Sequence, residues 1–280
     1  MDYSTAHDNA VGAPYILMEY IHGSVASELR QAKSCGLQMF GTREQDRKFR
    51  EQMAQIQAIV ASFRFPKIGS LYHDPHTDEF YIGPDLQTGR GPWTSSTEYY
   101  NDLVDHLLKS ASTSNELKQS QSFMLPSILG HLMRIHGEEK SGPFRLTNRD
   151  FGAHNILVND NFEIVGVIDF DGVMAAPLEA VAQYPVLSFL EVDSPGVVYT
   201  APAAVERAKR TAPKLQHYKE LLARFEAEMG GQEVKVANTM GSTPATVYSG
   251  MKAYAQHQDF VNERWMEACL KMVLDFAESG

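Results

Sequence analysis

The chain has 280 residues, a net charge of −10, and 43% hydrophobic and 10% aromatic residues, which is ample material for a buried core. No basic run exceeds a pair such as Arg47-Lys48, which argues against a face for the phosphate backbone of nucleic acid; the acidic balance serves solubility and can favour cationic ligands. Cys35 and Cys269 provide neither a disulfide framework nor a metal-ligand spacing, so a reducing, cytoplasmic setting is expected.

The first residues lack a basic start followed by an apolar stretch, and no secretory signal is expected. The run Pro14 to Tyr20 is apolar and aromatic and is introduced by a proline, as a buried strand would be. Thr42 with Gln45 forms a capping box ahead of Phe49, Met53, Ile56, Val60 and Phe63, whose spacing predicts an amphipathic helix. Ser95 with Glu98 marks a second helix through Tyr99, Leu103 and Leu107, and a third is expected over Phe123 to His136 with Pro126 near its start. YHDPH, with His73 and His76 flanking Asp74, reads as a loop of solvated histidines, and no zinc site is expected there.

From Pro143 to Gly172 the short β-rich runs RLT, NILVN and EIVGVID predict a loop followed by a β-hairpin. The hairpin turns at Asp160-Asn161, residue types that tolerate a positive φ. The apolar window Gly172 to Leu190 is interrupted by Pro177, Glu179, Gln183 and Pro185, which excludes a membrane span there. Pro195, Pro202 and Pro213 punctuate an irregular stretch before a helix carrying Leu215, Tyr218, Leu222, Phe225 and Met229. A loop with Gly230, Gly231, Gly241 and Pro244 leads to a last helix with Met251, Tyr254, Val261, Trp265, Met272 and Phe276 inward.

The chemistry concentrates in LTNRDFGAHNILVNDNFEIVGVIDFDG, Leu146 to Gly172, where Asn155 follows Asp150 by five residues and Asp169 follows it by nineteen. Phosphoryl transfer needs a carboxylate to orient the attacking hydroxyl and oxygen ligands to hold Mg²⁺ against nucleotide phosphates. A loop carrying Asp150 and Asn155, with a hairpin returning Asp169 beside them, would supply those groups. Taken singly, each residue also suits plain turn chemistry or a bond to nearby backbone.

N-R-D-F-G-A-H-N-I-L-V followed by V-I-D-F-D resembles the catalytic loop and metal-binding strand end of the aminoglycoside phosphotransferase and choline kinase group, which shares its fold with protein kinases. GAPYILMEYIHG, RFPKIGSLY and FYIGP extend the resemblance over nearly the whole chain, toward a fungal branch of that family. The resemblance implies that Asp150 is the catalytic base and that Asn155 and Asp169 hold magnesium. It also implies that Met18, Glu19, Tyr20 and Ile21 form the interlobe linker that receives adenine, with ATP and Mg²⁺ as cofactors if the protein is active. The role of Asp171 stays open.

Two departures from the family stand out. Asn148 occupies the place of its usual histidine, two residues before the catalytic aspartate. About a dozen residues precede the linker strand, and a strand alone takes ~5, so most of the small lobe, with its nucleotide-covering loop and phosphate-pairing lysine, is expected to be missing. Gly89-Arg90-Gly91 is no substitute for such a loop.

The expected fold is α+β: a kinase-like large lobe over residues 23–280, mainly helical with a small β-hairpin, after a vestige of the small lobe and linker over 1–22. The expected function is small-molecule O-phosphotransferase ancestry with impaired or lost turnover, as in a pseudokinase. The alternative is a repurposed lobe that binds a small molecule or acts without ATP, with no cofactor. Expected partners are a small-molecule ligand, neither nucleic acid nor membrane, and a second copy or a separate small-lobe chain covering Pro14 to Tyr20.

Overall fold

The computed structural model describes residues 2–4, 6–33, 35, 39–113, 121–137, 141–187, 202–229, 235–256 and 271. Pro195, Gly230, Gly231, Cys269 and the expected inner face beyond Tyr254, with Val261, Trp265, Met272 and Phe276, lie outside the described residues. The chain packs as two units, Met1–Phe49 with Ala153–Ile168 and Arg50–Gly152 with Asp169–Gly280.

In the first unit, β1 (Asp2–Ser4) pairs antiparallel with β2 (Tyr15–Leu17), with Tyr3 opposite Ile16. The run expected to be buried is instead exposed: Ile16, Leu17 and Met18 each keep about two-thirds of their surface in solvent, and Tyr20 keeps 75%. A hairpin of two three-residue strands has too little area to bury either face. A second antiparallel sheet orders β3 (Ser24–Val25), β8 (Ile156–Val158) and β9 (Ile164–Val167) as β3-β8-β9.

Helix α1 (Ala26–Ala32) precedes a cluster in which the Phe40 ring lies 4.3 Å from Phe49 and edge-on to Phe162. The Thr42 capping box forms as expected at the start of α2 (Arg43–Ser62). Gln45 N donates to Thr42 Oγ1 (3.3 Å), and Thr42 N donates to Gln45 Oε1 (2.8 Å).

The β8–β9 hairpin turns at the expected place, but the left-handed conformation falls on Phe162 (φ 59°) rather than on Asp160 or Asn161. The Asn159 side chain fixes that turn by accepting from Asn161 N and Glu163 N. Burial of the Phe162 ring offsets the backbone cost.

The second unit contains a five-stranded antiparallel sheet ordered β4-β7-β10-β5-β6. Its strands are β4 (Arg64–Phe65), β5 (Gly69–Asp74), β6 (Glu79–Gly83), β7 (Phe144–Asn148) and β10 (Val173–Ala176). This corrects the expectation of a lobe with one small hairpin. The sequence conceals it because β4 has two residues and β10 reads VMAA, with no alternation and weak strand formers. YHDPH is correspondingly a strand end and tight turn, with His73 in β5 bonded to Asp78 at 2.8 Å.

Helix α3 (Ser96–Ala111) starts at Ser95, whose hydroxyl accepts from Glu98 N; the Glu98 carboxylate reaches Thr94 rather than closing the box on Ser95. A 3₁₀ turn (Gln121–Met124) leads into α4 (Leu125–His136), where Pro126 sits in the first turn and Leu125, Leu129, Leu132 and Met133 are buried. Short α5 (Leu178–Val181) follows β10.

The stretch expected to be irregular around Pro202 and Pro213 is helical from Pro202 onward. Helix α6 (Pro202–Glu228) begins on Pro202 and carries Pro213 inside. Proline is favourable at a first turn, where its missing N–H is not needed. Helices α7 (Lys235–Thr239) and α8 (Thr243–Gln256) complete the unit, and α4 packs against α3 and α8. No described helix is long and apolar enough to cross a membrane.

Candidate active site

The register of β7 against β10 builds the site. Asn148, the last residue of β7, pairs with Val173, the first of β10, so the chain leaves β7 and enters β10 at the same end of the sheet. Asp150 lies two residues past β7 and Asp169 four residues before β10, and both line one cavity of about 590 Å³ within the second unit. Arg149 N donates to Gly172 O at 3.0 Å.

Asn148, standing where the resembling family has histidine, ties the two segments together. Its Oδ1 accepts from Asp150 N (2.9 Å), and its Nδ2 donates to Asp169 O (3.3 Å). Gly172 is required for this approach, because a Cβ there would lie 2.6 Å from Asn148 Oδ1. Asp169 adopts a left-handed backbone (φ 60°), a conformation costing roughly 1–3 kcal/mol that recurs where chemistry needs it.

Beneath Asp150, Arg149 makes a two-point pair with Asp85, at 2.8 and 3.2 Å, and both side chains are largely buried. Burial pushes the Asp85 pKa up, but hydrogen bonding and charge from Arg149 outweigh it and hold the carboxyl below its usual range. Burial likewise opposes the Arg149 charge, and the Asp85 hydrogen bond overcomes it, leaving the guanidinium above its ordinary value. Asp85 also caps its own loop, accepting from Gln87 N and Thr88 Oγ1.

Trp93, Tyr99, His106 and Tyr248 also line the cavity, Arg90 pairs with Asp102 at its wall, and Asp171 faces it beside Asp169. Lys252 of α8 donates from Nζ to Arg149 O (2.5 Å). Burial depresses the Lys252 pKa, with the Asp150 carboxylate opposing that shift and Arg149 adding to it.

Of the residues singled out in sequence, the structure brings Asp150 and Asp169 to one cavity. Asn155 belongs to the other unit, buried at the end of a 3₁₀ turn (Ala153–Asn155), where its carbonyl accepts from Ile168 N. Met18, Glu19, Tyr20 and Ile21 also belong to the first unit, in an irregular exposed segment after β2 in which Tyr20 packs edge-on to His22.

Sequence reasoning missed the Asp85–Arg149 pair and Lys252. Nothing local links Asp85 to a residue 64 positions away, and Lys252 lies in a helix whose inner residues read as packing. The hard oxygen donors Asp150, Asp169 and Asp171 on one cavity suit a magnesium ion chemically. Among the described residues, no group of three or more His, Cys, Asp or Glu side chains is arranged as a metal cluster.

The chain is similar to two Aspergillus fumigatus proteins from different strains, both named subtelomeric hrmA-associated cluster protein. Each is 36% identical over 91 residues, covering 29% of this chain and 16% of the relative. A solved structure of macrolide 2'-phosphotransferase type I aligns over 80% of this chain and 58% of its own, with 10% identity and a TM-score of 0.38. The sequence profile of the phosphotransferase enzyme family (APH) matches residues 4–180, more than half of the chain and the whole of the Asp150 to Asp169 stretch, so the chain belongs to that family.

Proposed function

We propose that this chain is a small-molecule O-phosphotransferase of reduced turnover, in which Asp150 orients an acceptor hydroxyl and accepts its proton. The observation that carries this reading is the shared cavity of Asp150 and Asp169, fixed by the β7–β10 register in a member of the phosphotransferase family. Asp169 would hold magnesium, while the other expected ligands, Asn155 for the metal and Met18 to Ile21 for adenine, belong to the first unit. The metal would supply charge neutralisation of nucleotide phosphates.

The protein's own contribution is positional. The Asp85–Arg149 pair and the Asn148 bonds hold the Asp150 backbone, and Trp93, Tyr99 and Tyr248 offer an aromatic wall for an acceptor. A second reading, a binding protein that works without nucleotide, draws support from the same cavity, which the second unit forms by itself.

Calorimetric titration with ATP and Mg²⁺ separates the two. Saturable, magnesium-dependent binding that disappears in Asp169→Ala is expected. Absence of binding at millimolar nucleotide would sink the phosphotransferase reading and leave the second. Cover for Pro14 to Tyr20 by a second copy or a separate chain belongs to the same proposal, as does a cytoplasmic setting.

A further inference from the structure

Among the described residues, three other than glycine hold a left-handed backbone: Asp78 (φ 57°), Phe162 (φ 59°) and Asp169 (φ 60°). The first two sit where a hairpin demands it. Asp78 N donates to Asp74 O and Phe162 N to Asn159 O, each inside a turn between paired strands. Asp169 lies between β9 and β10, which do not pair with each other. Its carbonyl is held by a side chain instead, with Asn148 Nδ2 donating to Asp169 O at 3.3 Å.

The same side chain accepts from Asp150 N through Oδ1, at 2.9 Å. These two bonds fix which end of the amide is which, since a backbone N–H needs an acceptor and a carbonyl needs a donor. Asn148 is the last residue of β7 and pairs with Val173 of β10, so the sheet anchors its backbone. Its amide packs against Gly172, where a Cβ would come within 2.6 Å of Oδ1. Asn148, Asp150, Asp169 and Gly172 all belong to the second unit.

A left-handed backbone is disfavoured for a residue with a Cβ and persists only where the surroundings impose it. It also sets the direction of the Cα–Cβ bond relative to the chain, so the place of the Asp169 carboxylate depends on keeping it. One uncharged amide thus couples the peptide after Asp169 to the peptide before Asp150. Asparagine suits the task, because an ionised aspartate of the same shape lacks the donor and a leucine lacks both groups.

We propose that Asn148 is a positioning residue for this cavity. Its amide clamps Asp169 in the left-handed conformation, in register with Asp150, and so keeps the Asp169 carboxylate on the cavity where it can ligate a divalent cation. The clamp stands on geometry; its consequence for a cation rests on the phosphotransferase reading above.

The test compares the intact chain with Asn148→Asp and Asn148→Leu at neutral pH, using nuclear magnetic resonance of protein carrying isotope-labelled aspartate. In the parent, Asp169 should give the strong cross-relaxation between its own amide and α protons that marks a positive φ, and the Asp150 amide should exchange slowly. Asn148→Asp keeps the acceptor and loses the donor, so the Asp150 amide should stay protected while the Asp169 signature disappears. Asn148→Leu should lose both. A merely structural asparagine would loosen both signals in parallel in either variant. That result, or an Asp169 signature that survives both substitutions, overturns the clamp.

Titration with manganese chloride alone, read by electron paramagnetic resonance, should show binding weakened about tenfold to a hundredfold in Asn148→Leu, as for other groups that orient a metal ligand. Equal affinity in the parent and Asn148→Leu refutes the positioning role and leaves the phosphotransferase reading intact. Absence of manganese binding by the parent, with the Asp169 signature lost in both variants, has the opposite meaning: the clamp stands and the phosphotransferase reading falls. If the leucine variant does not fold, Asn148→Asp, of nearly the parent's shape, decides the clamp by itself.

Discussion

Asp85 shows how one side chain governs the peptide before Asp150, an aspartate it does not touch through its own bonds. It holds Arg149, Arg149 is the residue before Asp150, and both members of the pair are shielded from water. Removing one partner of such a pair strands a buried charge, so Asp85→Ala should cost about 3–5 kcal/mol in urea unfolding. The sign of its pH dependence follows from a folded pKa below the ordinary aspartate value of 3.8. The stabilisation is present above that value and is lost as the pH falls below it through the folded pKa. The acid limb of a stability-versus-pH curve should therefore be shallower in Asp85→Asn than in the parent, and parallel limbs would contradict the assignment. Gly172 belongs to the same scale: Gly172→Ala places a methyl against Asn148 Oδ1 and should destabilise the protein by about 1–3 kcal/mol, measured by denaturant midpoint.

Among the elements, the helices beginning near Thr42, Ser95 and Leu125 were legible because their signals are local. Capping residues bond within one turn, and apolar residues recur at three and four. Ser95→Ala should accordingly cost about 1 kcal/mol in a thermal or denaturant melt, since only its hydroxyl caps Glu98 N. The five-stranded sheet was not legible: β4 draws its pairing from Arg145 and Phe144, and β10 takes its identity from β7 and β5 on either side. Strand character there comes from partners distant in sequence, and Ala175 or Met174 by itself says nothing of a sheet. Asp150 and Asp169 could be found from their motif and spacing, whereas Asp85 and Lys252, brought to them by the sheet and α8, could not.

At the scale of the molecule, the most conspicuous surface feature among the described residues is the exposed run Ile16, Leu17, Met18 and Tyr20 on a hairpin too small to hide it. Contiguous exposed apolar side chains bind hydrophobic dyes and promote association. The double variant Ile16→Thr, Leu17→Ser should lower anilinonaphthalene sulfonate fluorescence and light scattering of the purified chain, and unchanged values would show that the run is already covered in solution. The β7–β10 register carries a different consequence. The excursion from Ala153 to Ile168 departs from the second unit and returns to it at one end of the sheet, where Arg149 N already bonds Gly172 O. The distance in sequence between the two aspartates is therefore free to drift. A lineage could lengthen or trim the turn at Asp160-Asn161 while the paired strands keep both carboxylates where they are. Insertion tolerance at that turn, with Asp150 and Asp169 undisturbed, is what such an architecture bequeaths to protein engineers.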